Sequence, residues 1–143
     1  CGRAEDGRAY VLADATLAGR APLDWARAAV RLYESLAADC IVAEVNQGGE
    51  LVAQMLRQVS PGAALRMVRA TRGKYLRAEP VAALYERGLV AHAGVLPELE
   101  DQMCDFGPGG LSDGRSPDRL DALVWALTEL MLTERAVPRI RRL

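Results

Sequence analysis

Cys40-Ile41-Val42-Ala43-Glu44-Val45 decides the fold. The run is apolar, too short for a helix and flanked by polar residues, which is the pattern of a buried strand in a parallel sheet. Working outward, Asn46-Gln47-Gly48-Gly49 turns the chain into a helix over 50–59, and Ser60-Pro61-Gly62 ends it. Leu65-Arg66-Met67-Val68-Arg69-Ala70 is the next strand. Upstream, Pro22 opens a helix whose Trp25, Ala28, Ala29, Leu32 and Leu36 fall at helical spacing through about residue 38, with Trp25 as a core anchor. Strands alternating with helices predict an α/β domain, its mixed sheet mostly parallel and flanked by helices on both faces.

Arg8-Ala9-Tyr10-Val11-Leu12-Ala13-Asp14 reads as a strand entered from a hairpin at Glu5-Asp6-Gly7, with only Cys1 to Arg3 upstream to pair with it. The chain also opens without methionine, so the expectation is a fragment whose first strand is missing. Beyond residue 70, Thr71-Arg72-Gly73-Lys74 leads into a helix carrying Leu76, Val81, Leu84 and Tyr85 and broken at Gly88. Pro80 inside it predicts a kink or a start nearer Arg77. Leu89-Val90-Ala91-His92 is a short strand with a structural histidine at its end, and 96–106 is a helix. The glycine-rich 107–115 lacks the lysine and spacing of a P-loop and reads as a mobile flap. In the last long helix, Ser116 is the expected cap, Pro117 the first helical residue, and Leu120, Leu123, Val124, Leu127, Leu130 and Met131 the buried stripe. A basic tail, Arg139-Ile140-Arg141-Arg142-Leu143, ends the chain.

With 143 residues, half of them hydrophobic, one domain with one substantial core is expected. Eighteen basic residues against nineteen acidic ones leave a formal charge of -1, so contact with nucleic acid would need a local basic patch. Cys1, Cys40 and Cys104 are odd in number, far apart and without a CxxC pair, as reduced thiols of a cytoplasmic protein are; a zinc site is not expected. No run approaches the roughly 18 apolar residues of a membrane span, and no signal sequence opens the chain.

Three carboxylates are out of the ordinary. Glu44 ends a buried strand, where an unpartnered charge would cost several kcal/mol, unless it faces water or caps the next helix. Functional groups in open α/β sheets gather at that carboxyl edge. Asp118 and Asp121 leave one side of a first helical turn together and repel unless something positive lies between them; complementing the helix dipole is the simpler reading. Glu44, Asp118 and Asp121 could meet only if the last helix crosses the sheet with its N-terminus at the edge that Glu44 occupies. Together they would form an all-oxygen site suited to Mg²⁺ or Mn²⁺, and two such ions about 4 Å apart could hydrolyse a phosphodiester. Arg72, Lys74 and Arg77 cluster at a strand-to-helix turn, where DNA phosphate is a natural partner or water an equally simple one. Asn46 and Gln47 could orient a phosphate oxygen or only bond their own turn.

Four ordered blocks then carry a resemblance: Ile41 to Gly49, Arg69 to Pro80, Pro97 to Met103, and Ser116 to Leu123. They follow one another as in the nuclease domain of the large terminase subunit, the DNA-packaging motor of tailed phages and gene transfer agents. The resemblance implies a ribonuclease H-like fold over 1–143, two-metal (Mg²⁺ or Mn²⁺) endonuclease action on concatemeric double-stranded DNA, and residence in the cytoplasm of a bacterial host. It also implies an upstream ATPase domain, and a portal protein and small terminase subunit as partners. Glu44 and Asp118 resemble two of the family's essential acids, and Asp121 an aspartate often found beside the second. The DxxDA spacing is also similar to that of Holliday-junction resolvases, so a resolvase-like nuclease for branched DNA is an alternative. The family's first-strand aspartate has no counterpart here. Asp14, on a later strand, is a site neighbour only, and a catalytically silent DNA-clamping or docking module is the third reading.

Overall fold

The computed structural model describes residues 1–45 and 49–133. Asn46, Gln47 and the basic tail lie outside them. The described strands form two sheets. In the first, β1 (Gly2–Arg3) pairs antiparallel with β2 (Ala9–Val11), which pairs parallel with β5 (Val90–His92). In the second, β3 (Ile41–Glu44) pairs parallel with β4 (Leu65–Val68). Helices α1 (Pro22–Ser35), α2 (Gly49–Val59), α3 (Lys74–Glu86), α4 (Pro97–Asp105) and α5 (Asp118–Leu127) complete the α/β arrangement, and a π-helical turn over Thr128–Leu132 extends α5.

Two clusters make the core. Ala9, Val11 and Val90 of the first sheet pack with Val81 and Leu84 of α3, Leu99 of α4, and Leu120, Leu123, Val124 and Leu127 of α5. Ala43 and Leu56 pack with Ala26 and Val30 of α1, and Trp25, Ile41, Leu65 and Met67 lie against them. Side chains alternate across a strand. Because Ile41, Ala43, Leu65 and Met67 face α1 and α2, Val42, Glu44, Arg66 and Val68 face the other way, where α5 packs against β3. Arg66 confirms the parity by reaching Glu129 in the π-helical turn at 3.0 Å.

Strand β2 and helix α1 are shorter than expected, for local reasons. After Val11, the Asp14 carboxylate accepts from both the amide and the hydroxyl of Thr16, which turns the chain out of β2. Helix α1 stops at Ser35 because Ala37 takes a left-handed φ of 46°, with Ala38 donating back to the Tyr33 carbonyl. Pro80 neither breaks nor starts α3. It sits on an exposed face beside Leu76, itself half exposed, so the carbonyl deprived of a donor faces solvent. Gly88, at a φ of 67°, ends the helix as expected, with Leu89 donating to the Leu84 carbonyl.

The start of α5 corrects the sequence reading. Pro117 is the residue before the helix, not its first member, and Ser116 gives no cap. The Gln102 side chain of α4 does that work: its Oε1 accepts from the amides of Arg119 and Leu120 at 3.1 and 3.2 Å. Two orphan donors of a helix start are thus satisfied across a tertiary contact. Gln102→Ala is expected to lower stability by about 1 kcal/mol, as loss of a local cap does, while Ser116→Ala leaves it within about 0.5 kcal/mol. Urea unfolding of the two variants measures the difference.

Candidate active site

Helix α5 begins where strands of both sheets end. Arg119, in its first turn, donates to Asp14, just beyond β2, at 2.8 Å. Asp121, one turn in, meets Arg77 of α3, which also holds Glu44 at the end of β3. The condition for bringing Glu44 and the last helix together is therefore met.

Arg77 is the centre of the cluster. Its Nη1 donates to Glu44 Oε1 and its Nη2 to Asp121 Oδ1, each at 2.9 Å. The guanidinium lies 4.7 Å above the Trp125 ring, and its side chain is 10% exposed. Lys74, one turn earlier on α3, reaches Asp121 Oδ2 at 3.2 Å, the Ser116 hydroxyl at 2.8 Å and Asp118 at 4.0 Å. Two cations spaced i, i+3 on α3 thus face two aspartates spaced i, i+3 on α5. The positive charge that the aspartate pair needs comes from the protein itself.

The two aspartates part company in burial. Asp121 is 10% exposed and fully engaged, whereas Asp118 is 73% exposed, with Lys74 only at the limit of ion-pair distance. Arg72 lies exposed in the turn before α3, and Lys74 is partly exposed; Arg77 is turned inward. Asp14 belongs to a separate group with Arg119 and Glu98. Burial works to raise the Asp14 carboxyl, but the hydrogen bonds from Thr16 and the Arg119 charge outweigh it and hold it below the usual range.

The oxygen donors of Glu44, Asp118 and Asp121 are of the kind that hard dications take, but their arrangement does not fit one. A guanidinium stands between Glu44 and Asp121, and among the described residues no three His, Cys, Asp or Glu side chains are gathered closely enough to hold a metal ion. Residues 107–115 fold back on α4, where Ser112 donates twice to Asp105. They border a groove of about 450 Å³ lined by Glu98, Asp101, Asp105 and Asp113 with Arg115 and Arg119. Four acids against two bases make it a poor seat for phosphate.

A family model of the terminase RNaseH-like domain matches residues 2–130. The chain belongs to this family. No curated protein and no solved structure gives a significant match. The terminase domain is thus a nuclease-type domain with a ribonuclease H-like α/β fold, and its family implies a DNA-packaging motor as its setting. No described helix is long and apolar enough to cross a membrane.

Sequence reasoning missed Trp125, on which the Arg77 guanidinium rests, and Gln102, which caps the helix that carries Asp121. Trp125 is four residues beyond Asp121, on the same helical face, and that spacing was its available signal. His92 has a structural role within a second polar group of the domain. Since Glu100 can only accept, His92 Nδ1 carries the proton at 2.9 Å, and Nε2 accepts from the Tyr85 hydroxyl at 2.8 Å. Burial, with the Glu100 charge second, pushes the Tyr85 phenol up to about 12 from 10.0. A raised folded value means that this stabilising contribution is complete below pH 10 and is lost as pH climbs through about 12. Absorbance at 295 nm should therefore show a late-ionising tyrosine that Tyr85→Phe removes.

Proposed function

We propose that this domain is a Mg²⁺- or Mn²⁺-dependent endodeoxyribonuclease that cuts concatemeric double-stranded DNA during packaging. The observation that carries the reading is the convergence of Glu44, from the carboxyl end of β3, with Asp121, from the first turn of α5, in a chain of the terminase family. Glu44, Asp118 and Asp121 would be the metal carboxylates.

The chain's own residues would orient the substrate. Arg72 and Lys74 stand at the exposed start of α3 and offer two cations to a DNA backbone, and Asn46 and Gln47, next in sequence after Val45, would add polar contacts. An ATPase domain upstream in the same protein, a portal protein and a small terminase subunit are the proposed partners, in the cytoplasm of a bacterial host infected by a phage or making gene transfer agents.

One observation favours a second reading, a catalytically silent DNA-clamping module: Glu44 and Asp121 are already neutralised by Arg77 and Lys74. Nicking of supercoiled plasmid in Mg²⁺ or Mn²⁺ tests the first reading. Asp118→Asn should abolish it with the fold unchanged, because that side chain is largely in solvent. Undiminished nicking would sink the assignment, and DNA binding without detectable metal binding would establish the clamp.

A further inference from the structure

Between Glu50 and Glu79 the chain carries Arg57, Arg66, Arg69, Arg72, Lys74 and Arg77 and no acid, although its formal charge is -1. At the start of α3, where the last three of these cations fall, two large apolar side chains stand in solvent: Tyr75 is 38% exposed and Leu76 52%. The Tyr75 ring is nevertheless held. Its centroid lies 6.2 Å from that of Phe106, with 41° between the planes, a favourable aromatic pairing. Phe106 closes α4 and packs against the first core cluster, so the exposed ring is backed by a residue fixed in the core. Donors for phosphate flank it. Arg72 is exposed, Lys74 is partly so, and no side chain caps α3 at Gly73, which leaves first-turn amides to add to them. Acids mark the limits of this surface. Asp118, 4.0 Å from Lys74, and the exposed Glu79, four residues beyond Tyr75, confine phosphate to the side of Arg72.

We propose that Tyr75 is a stacking platform for an unpaired base of a DNA strand, with Arg72 and Lys74 holding the phosphates beside it. This rests on the DNA contact read above at the start of α3 and needs no metal. An exposed aromatic ring set among cations is how single strands are gripped: the cations track the backbone and the ring takes a base. Bases inside a duplex are already stacked on one another, so the ring is served by a strand end or an unpaired stretch. Every base has a π-face, and the preference is therefore for the unpaired state and not for a sequence. Tyrosine gives up little conformational freedom in this role, having two side-chain torsions, and Phe106 already restrains it.

The test is fluorescence anisotropy of the whole chain in EDTA with two labelled probes of equal phosphate number, a short oligothymidylate and the same strand carrying abasic sites in place of its bases. The unaltered chain should bind the oligothymidylate about tenfold more tightly than the abasic strand, within the range of one base stacked on an aromatic ring. Tyr75→Ala should remove that difference and leave affinity for the abasic strand as it was, while Tyr75→Trp keeps or enlarges it. Tyr75→Leu, which retains apolar packing on Phe106 without a ring, should behave as the alanine variant does and serves if that variant does not fold. Arg72→Ala should weaken both probes alike and lower the salt slope of binding by about 0.7. Equal affinity of the unaltered chain for the two probes, or a Tyr75→Leu variant that keeps the difference or loses affinity for both alike, overturns the stacking and leaves the DNA contact standing. Absence of binding to either probe overturns both.

Discussion

Asp121→Ala is expected to destabilise the domain by roughly 3 kcal/mol, the low end of what breaking a buried ion pair costs. The carboxylate is 10% exposed and carries contacts from both Arg77 and Lys74, so its removal leaves a buried guanidinium held on one side only, by Glu44. At this chain length the loss corresponds to a fall in Tm of roughly 10 °C. Calorimetric melting of the variant measures it directly. The cause is separable from cavity formation by a double-mutant cycle: Asp121→Asn with Arg77→Met should show a coupling energy of about 1–3 kcal/mol. A coupling near zero would mean that packing, not charge, holds α3 to α5 at this point.

Glu44→Gln should reduce plasmid nicking by more than the roughly 10–100-fold that follows loss of an outer-shell partner of a metal. Glutamine preserves the volume at the end of β3 and can still accept from Arg77, so the fold should stand while the anionic oxygen is lost. Initial nicking rates at saturating Mg²⁺, with circular dichroism as the control for folding, give the comparison. A variant that cuts at the rate of the unaltered chain would remove Glu44 from the chemistry and return it to the role of a counter-charge for Arg77.

The alternation of strands and helices was legible because each strand is a brief apolar run and each helix a periodic one. Glu44 stood out for the same reason, as a charge closing an apolar strand. What could not be read was burial within the DxxD pair. Spacing alone places Asp118 and Asp121 side by side, and it takes α3, lying across from them, to bury one and leave the other in water. The matching Lys74 and Arg77 spacing was visible, but as a surface for phosphate; nothing local says that Arg77 turns inward onto Trp125. Ser116 had the chemistry of a cap and the correct place in sequence. Gln102 took that task because α4 packs alongside α5, a contact that no window of sequence contains.

The division of the core also bears on the site. Glu44 is carried by the strand pair that packs on α1 and α2, whereas Asp121 is carried by a helix rooted in the other cluster. Their separation is thus set where the two clusters meet, and Arg77, which holds one carboxylate from each side, is the clasp between them.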